Sequence, residues 1–215
     1  MNSKNIVRKG YNKVSYAYRN DETIAAYAVD YAEGLSELTS LLTPESKVLE
    51  LGCGCGVPVA QILSENFVLT GVDISPVQIE RARNTVARAD FICADMTEMD
   101  FPEASFAAIV SLYAIIHVPL AEQPALFANL FKWLQPEGYL LVTVGNRAWT
   151  GIESDWLDVS GAKMFWSHTD VETYKLWLTE LGFKLHWTKF IPEGDGGHQL
   201  VLAKKPGHKV RSSNA

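Results

Sequence analysis

Cysteine is scarce in this sequence, which has only Cys53, Cys55 and Cys93 among 215 residues. The number is odd, and Cys53 and Cys55 are separated by one residue within a glycine-rich stretch, a spacing that does not suit a zinc site. We therefore expect no disulfide framework and no structural metal, and we interpret the cysteines as reduced thiols of a cytoplasmic protein.

Long apolar runs and an excess of positive charge are also absent. No stretch approaches the roughly 20 apolar residues of a membrane helix, and the N-terminal residues are polar, unlike a secretory leader. Asp and Glu number 25 against 19 Lys and Arg, for a net charge of -6. Since phosphate contacts carry most of the affinity for nucleic acids, the sequence predicts neither a membrane nor a nucleic-acid partner.

The residues that are present suit one α/β core, since 47% of them are hydrophobic. Short apolar runs typical of buried strands alternate with helical spacings, and strand follows helix through the middle of the chain. Such alternation predicts a doubly wound, mostly parallel sheet with helices on both faces. The predicted strands cover 48–51, 67–72, 90–93, 106–112 and 139–144, and a hairpin over 183–203 ends the fold.

The chain divides into three predicted parts. Residues 1–42 are predicted as a polar, tyrosine-rich arm followed by a helix, together forming a lid. Residues 43–205 are predicted as the ligand-binding domain, interrupted at 145–169 by an irregular insert rich in aromatic residues. The polar tail over 206–215 is predicted to be disordered.

The strongest motif is a glycine loop directly after the first predicted strand. Gly52, Gly54 and Gly56 alternate with cysteines and follow Glu50, and a helix is predicted to begin just beyond them. Glycine lets the backbone turn sharply and lets a ligand approach without a Cβ in the way. In an open α/β sheet, ligands bind outside the carboxyl ends of the strands, so we expect the ligand here.

Two acidic residues follow at the ends of the next two strands. Asp73 lies 21 residues after Gly52, the spacing at which a carboxylate accepts hydrogen bonds from the two ribose hydroxyls of a nucleoside. Asp95 and Met96 follow the third strand, where an acid and a flexible thioether could contact an adenine ring. The three signals together predict a nucleoside-containing ligand.

These residues resemble the class I S-adenosylmethionine (SAM)-dependent methyltransferases. Residues 50–56 match that family's glycine loop, 71–75 its ribose-binding strand end and 95–96 its adenine contact. Residues 134–140 resemble the turn before its fifth strand, with Glu137 in place of one glycine. The resemblance implies SAM as the cofactor, an enzyme that methylates a small molecule, and a seven-stranded sheet whose last strand is antiparallel.

The resemblance also implies which residues contact the donor. Ser111 and Leu112 fall where the family contacts the amino-acid part of SAM, and Tyr11 and Tyr16 resemble tyrosines that close over that end. The implied donor-binding residues are Tyr11, Tyr16, Glu50, Gly52, Gly54, Gly56, Asp73, Ile74, Asp95, Met96, Ser111 and Leu112.

Histidines are the candidates for a general base, which methyl transfer needs only if the acceptor loses a proton as it attacks. His117 follows the fourth strand at the rim expected to face the acceptor, although it could instead cap the turn before Pro119. His168 and His198 are the other candidates, with structural roles at a helix start and a strand end as their alternatives.

The aromatic insert is interpreted, with the N-terminal arm, as a lid over an apolar or aromatic acceptor. It carries Trp149, Trp156, Phe165 and Trp166, and a satellite core or a dimer contact is the alternative. We expect a monomer or homodimer.

Two other functions stay open at this point. An NAD(P)-dependent reductase shares the sheet, but its loop usually places the third glycine one residue later and serves a pyrophosphate. A non-catalytic SAM-binding partner protein is the second alternative. The sequence lacks the motifs that resemble methyltransferases of nucleic-acid bases, and no carboxylate cluster indicates a metal site, so a small-molecule O-, N- or C-acceptor remains.

Overall fold

The computed structural model describes residues 2–19 and 32–207. Its helices are α1 (Ser3–Tyr18), α2 (Ala32–Ser40), α3 (Val59–Leu63), α4 (Pro76–Thr85), α5 (Gln123–Trp133) and α6 (Val171–Leu181). Its strands are β1 (Lys47–Leu51), β2 (Val68–Asp73), β3 (Asp90–Cys93), β4 (Phe106–Ser111), β5 (Leu134–Gly145), β6 (Trp149–Ser154), β7 (Lys163–His168), β8 (Lys184–Glu193) and β9 (Gly196–Lys204). In the described ranges, none of the helices combines the length and apolar character that a membrane crossing needs.

Seven strands form one sheet in the order β3-β2-β1-β4-β5-β9-β8. Strands β1 to β5 are parallel, and β9 is antiparallel to both β5 and β8. The predicted doubly wound sheet with its antiparallel last strand is confirmed. The strand order reverses between β1 and β4, and the crevice at that switch point is where such folds bind ligands.

The core has two layers, one on each face of the sheet. Successive residues of β1 point to opposite faces, so Val48 packs with α2, α3 and α4, whereas Leu49 packs with α5 and α6. Trp133 at the end of α5 is fully buried in the second layer. Helices thus cover both faces, as predicted, and fix the carboxyl ends of β1 and β2.

The N-terminal arm is a helix, which corrects the expectation of a polar arm over the first 20 residues. Asn2 caps α1 by accepting a hydrogen bond from the backbone N–H of Lys4 at 2.9 Å. The buried residues of α1, including Val7, Gly10 and Val14, recur at helical spacing, a pattern that the sequence interpretation overlooked. Residues 20–31 and 208–215 lie outside the described residues, and with them part of the predicted helix over 21–42 and most of the predicted tail.

The insert over 145–169 is not irregular: β6 and β7 pair in an antiparallel two-stranded sheet. Trp156, Ala162 and Met164 pack with Val7 and Val14 of α1 in a third apolar cluster. Of the aromatic residues in the insert, Trp156, Phe165 and Trp166 pack in this cluster, whereas Trp149 is 47% exposed. Helix α1 and this hairpin form one layer, which we call the roof.

Gly10 sets how closely α1 approaches the hairpin, because a Cβ there would collide with the carbonyl oxygen of Lys163. We expect Gly10→Ala to lower the thermal unfolding midpoint, since the collision with backbone outweighs the about 1 kcal/mol that Ala gains over Gly in a helix. Lys9→Ala, on the exposed side of α1, is the control. A Gly10→Ala midpoint equal to or above that of the wild type would contradict this close contact.

Candidate functional site

The glycine loop turns sharply at the end of β1. Gly52, Gly54 and Gly56 have φ angles of 80°, 54° and 83°, all in the left-handed region that favours glycine. A Cβ on Gly52 would collide with the Cβ of Ala114. Only glycine therefore lets the loop pass the segment after β4 and leaves the strand ends open.

Asp73 ends β2 beside this loop and is buried, with 8% of its surface exposed. Its two oxygens accept hydrogen bonds from the backbone N–H groups of Gly54 at 3.0 Å and Ser75 at 2.8 Å. Burial raises the pKa of Asp73 to about 6, against the opposing effect of the backbone hydrogen bonds. The carboxylate thus ties the loop to β2 and faces the space between them.

That space is a cleft of about 670 Å³, including its open mouth, which we call the main cleft. The roof and the carboxyl ends of β1, β2, β3 and β4 surround it. Its lining residues are Lys4, Val7, Tyr11, Tyr18, Gly52, Gly54, Val72, Asp73, Ile74, Ala94, Asp95, Met96, Leu112, Tyr113, Ala114, His117 and Val118.

The structure brings most predicted donor-binding residues to this cleft, but not all of them. Tyr16 is 62% exposed, and its ring stacks on the guanidinium of Arg81 instead. Gly56 packs against α4, where a Cβ would lie 3.0 Å from Val86. Ser111 is fully buried and donates its hydroxyl to the carbonyl of Leu51 at 2.9 Å, so it stabilises the sheet rather than lining the cleft.

Asp95 lines the main cleft, and both oxygens of its carboxylate have partners within the protein. Lys4 of the roof lies 2.9 Å from one oxygen, and the other accepts hydrogen bonds from the backbone N–H and the hydroxyl of Thr97. Burial opposes ionisation, but these partners outweigh it and hold the pKa of Asp95 below its usual value. The ion pair also fastens the first turn of α1 over the end of β3.

A second cleft of about 410 Å³ lies beside the glycine loop. Glu50, Arg19, Cys55, Tyr18 and Tyr113 are among its lining residues. Glu50 is only 4% exposed, and its Oε2 has no hydrogen-bond partner within the described chain. Burial and the nearby Asp73 raise the pKa of Glu50 well above its usual value. An unpaired buried oxygen is costly, so this position suits a ligand that carries N–H donors.

His117 forms a hydrogen-bonded pair with Tyr11 in the lining of the main cleft. The carbonyl of Phe165 lies 2.7 Å from His117 Nδ1, and since a carbonyl can only accept, Nδ1 carries the proton. Nε2 of the neutral ring then accepts from the Tyr11 hydroxyl at 3.0 Å. Burial lowers the pKa of His117 to about 4, so the ring is neutral near pH 7 and its Nε2 is a hydrogen-bond acceptor.

His168 and His198 line neither cleft. His168 donates from Nδ1 to the carbonyl of Arg147 at 2.7 Å, and His198 pairs with Glu193 at 3.0 Å. Trp166 lies between His198 and His117, with ring centroids 6.5 Å and 4.4 Å away respectively. Neither candidate lies in the lining of the cleft that holds His117, but His198 contacts Tyr113 of that lining, with ring centroids 5.5 Å apart.

The sequence interpretation missed several cleft residues, among them Tyr113, Lys4, Tyr18 and Arg19. Tyr113 directly follows the predicted contact at Ser111 and Leu112. Its φ of 55° is unusual for a residue other than glycine and marks a special position, but this angle is visible only in the structure. Lys4, Tyr18 and Arg19 come from α1 and its end, and no local signal places that helix over the sheet. In the described ranges there is no group of three or more metal-ligating side chains.

A doubly wound sheet, a glycine turn after β1 and a buried carboxylate after β2 together define a nucleoside-binding α/β protein. Comparison with protein families narrows this class, since residues 48–138 match the family described as a methyltransferase domain. This part of the chain is therefore similar to a methyltransferase domain.

Curated relatives share part of this chain. Phosphoethanolamine N-methyltransferase 3 of Arabidopsis thaliana is 32% identical over 149 residues, which cover 66% of this chain and 30% of the relative. The 27-O-demethylrifamycin SV methyltransferase of Amycolatopsis mediterranei is 33% identical over 110 residues, covering 43% of this chain and 40% of the relative. The chain spans less than a third of the length of the first curated relatives it matches.

Solved structures share the fold over nearly the whole chain. The [4+2]-cyclase SpnF superposes with a TM-score of 0.73 at 18% identity, covering 97% of this chain and 98% of that one. Magnesium protoporphyrin IX methyltransferase of Synechocystis PCC 6803 gives a TM-score of 0.69 at 16% identity, covering 95% and 98%. Since these structures include a cyclase, the activity has to be argued from the site.

Proposed function

We propose that the protein transfers a methyl group from SAM to a small molecule. The observation that carries this proposal is the pairing of the glycine loop with the Asp73 carboxylate at one end of a cleft and the unpaired Glu50 oxygen beyond the loop. This arrangement suits a nucleoside linked to a cationic amino-acid chain. The Asp73 carboxylate and the open glycine turn match the nucleoside, and the Glu50 carboxylate matches the cationic chain. The methyltransferase match over residues 48–138 supports the same donor.

Different residues of the chain bind different parts of the donor. Asp73 accepts hydrogen bonds from the ribose hydroxyls, and Ile74 and Met96 pack on the adenine ring. Glu50 accepts from the ammonium group of the amino-acid part. When bound, SAM supplies an activated methyl group on a positively charged sulfur.

The acceptor side of the main cleft is aromatic. Tyr11, Tyr18, Tyr113 and His117 line it, and Trp156 packs edge-on against Tyr11 with ring centroids 5.4 Å apart. These rings support a small apolar or aromatic acceptor and exclude water from the reaction. In this proposal the acceptor gives its proton to the Tyr11 hydroxyl oxygen, and the hydroxyl passes its own proton to Nε2 of His117, which leaves the imidazole protonated until it exchanges with solvent.

The N-terminal part of the chain acts as the lid of this enzyme in our proposal. Lys4, Val7, Tyr11 and Tyr18 of α1 line the main cleft from above, and the hairpin of β6 and β7 supports them. We further propose a cytoplasmic protein, monomeric or homodimeric, without a nucleic-acid partner, an assignment supported by the net charge of -6.

Two measurements test the proposed function. Calorimetry should detect binding of S-adenosylhomocysteine and none of NADH, and incubation with methyl-labelled SAM should transfer label to members of a metabolite panel. Binding of NADH alone would favour the reductase. Donor binding without transfer to any acceptor would favour a non-catalytic partner protein.

The donor affinity should depend on pH through Asp73. Its pKa of about 6 means that the group is protonated below pH 6, and ribose hydroxyls bind best to the ionised form. Binding below this pKa must expel a proton, so affinity for S-adenosylhomocysteine should fall by up to about tenfold per pH unit from pH 6 to 5. Titration calorimetry at several pH values measures this slope.

Asp73→Asn is the control for that pH dependence, because its side chain does not titrate. We expect the slope between pH 5 and 7 to flatten in this variant. A slope that persists unchanged would assign the dependence to another group, with Glu50 as the nearest buried carboxylate.

A further inference from the structure

Gln123 contributes a buried amide to which the proposed function assigns no role. It is the first residue of α5, and it is fully buried although its side chain is polar. Burying an amide is costly unless its nitrogen and oxygen find hydrogen-bond partners, so an apolar residue would fill this space at lower cost. The partners of the amide therefore indicate its role.

The amide nitrogen of Gln123 faces three backbone carbonyls. Nε2 lies 2.8 Å from the carbonyl oxygen of Val118 and 3.1 Å from that of Ile115, and these two residues flank His117 in the turn after β4. Nε2 also lies 2.6 Å from the carbonyl oxygen of Ser167 in β7. The nitrogen has two hydrogens for three acceptors, so one hydrogen is shared. One side chain thus ties the turn that carries His117 to the roof.

Tyr174 of α6 binds the other end of this amide. Its hydroxyl donates to Oε1 of Gln123 at 2.6 Å, and both side chains are fully buried. Burial raises the pKa of Tyr174, so the hydroxyl keeps its proton and remains the donor. The carbonyls on the opposite side can only accept, which requires the NH₂ group to face them. Both ends of the amide therefore favour the same orientation.

The bond from Gln123 to Ser167 lies two residues along β7 from the bond that holds the His117 ring. There, His117 Nδ1 donates to the carbonyl of Phe165 at 2.7 Å. The Ser167 hydroxyl adds a third link, because it accepts a hydrogen bond from the backbone N–H of Leu120 at 3.0 Å. Strand β7 therefore holds the segment around His117 at three points.

Strand β7 also locates Tyr11. Helix α1, which carries Tyr11, packs so closely on this strand that a Cβ on Gly10 would collide with the carbonyl oxygen of Lys163. The Tyr11 hydroxyl and His117 Nε2 are 3.0 Å apart, and β7 fixes one through α1 and the other through Gln123. A shift of the turn by about 1 Å away from α1 would lengthen this contact beyond hydrogen-bond range.

We propose that Gln123 is the positioning residue that holds the His117 imidazole against the Tyr11 hydroxyl. The inference rests on the proposed function, because proton transfer through these two side chains belongs to that function. Gln123 lines neither cleft, so it acts on the reaction through His117 and not through contact with donor or acceptor.

Gln123→Met tests the hold on the His117 ring, because methionine has a similar length and no N–H to donate. Long-range proton–nitrogen NMR spectra distinguish the two neutral tautomers of a histidine, and the His117 signals are those missing from His117→Ala. The wild type should show the single Nδ1–H tautomer that the Phe165 carbonyl requires. We expect a mixture of tautomers in Gln123→Met, and a single unchanged tautomer would overturn the inference.

Turnover gives the second readout, measured with methyl-labelled SAM and the panel member that accepts label. Gln123→Met should lower kcat roughly 10- to 100-fold, the order of loss for a catalytic group misplaced by about 1 Å. Affinity for S-adenosylhomocysteine should stay close to that of the wild type, which also shows that the variant is folded. Gln123→Glu leaves at most one hydrogen for the three carbonyls, so it should lower kcat in the same direction if methionine prevents folding.

Tyr174→Phe is the matched control. It removes a buried hydrogen bond from the same amide but leaves the three bonds to the carbonyls in place. We expect it to keep the single His117 tautomer and to lower kcat less than Gln123→Met does. Equal effects of the two variants on the tautomer and on kcat would assign them to a general loss of stability and overturn the positioning role.

The outcomes distinguish this inference from the proposed function. If the wild type binds no S-adenosylhomocysteine and transfers no label, the proposed function fails and the inference fails with it. If the wild type transfers label and Gln123→Met transfers it equally fast, only this inference is overturned.

Discussion

Tyr11→Phe and His117→Ala are expected to lower turnover by about 100- to 10,000-fold, the range for loss of general acid–base catalysis, while S-adenosylhomocysteine affinity stays close to that of the wild type. Both variants break the 3.0 Å hydrogen bond between the Tyr11 hydroxyl and His117 Nε2. Phe keeps the ring that packs on Trp156, so Tyr11→Phe isolates the hydroxyl. Because the two groups act as a unit, the double variant should be little worse than His117→Ala alone.

His117→Ala needs a control for folding, since it leaves the carbonyl of Phe165 without its buried donor. Retained binding of S-adenosylhomocysteine by each variant shows that the site is formed. The pH profile gives a second check, because a neutral imidazole with a pKa of about 4 predicts that wild-type turnover at saturating SAM falls only as the solution approaches that value. Full turnover with an unaltered profile in both variants would remove this pair from the chemistry.

Asp73→Ala is expected to weaken S-adenosylhomocysteine binding by about 1–3 kcal/mol, or roughly 5- to 150-fold. The variant loses the acceptor for two ribose hydroxyls, and it also releases the backbone N–H groups of Gly54 and Ser75. Isothermal titration measures the loss, and Asp73→Asn separates its two parts because the amide oxygen still accepts a hydrogen bond.

Because Asp73 lies next to the start of α4, its variants need a control that perturbs the start of this helix alone. Ser75 caps α4 by accepting from the backbone N–H of Gln78 at 3.1 Å, so Ser75→Ala removes a cap at the same turn without touching the carboxylate. We expect Ser75→Ala to lower stability by about 1 kcal/mol and to change affinity less than Asp73→Ala does. Wild-type affinity in Asp73→Ala would exclude this residue from the donor site.

The sheet and the nucleoside end of the site could be predicted from sequence because their signals are local. All three signals lie within one βαβ unit and can be recognised from the order of its residues. They are an apolar strand, alternating glycines and an acid 21 residues beyond Gly52. The structure places Gly52, Gly54 and Asp73 around one cleft as expected. The motif also predicted donor contacts at Gly56 and Ser111, but in the structure these two residues contact the protein interior.

The roof could not be predicted because its signals are not local. Helix α1 buries a face built around Gly10, and its position depends on contacts with residues about 150 positions away, such as Lys163. Arg19 and Lys4 matter only because of that packing. His168 and His198 were chosen by residue type and chain position, and tertiary packing directs their Nδ1 atoms to Arg147 and Glu193 instead.

The Tyr11 hydroxyl and the His117 imidazole belong to segments 106 residues apart, and they meet only where α1 lies across the strand ends. On the proposed function, a molecule whose first helix has swung aside can exchange product for fresh donor but has no assembled proton acceptor. Reaction is then confined to the shut arrangement, in which bulk water is kept from the sulfonium. Such an enzyme would lose little donor to hydrolysis, and its chemistry would require the sixteen residues of α1 to be in place.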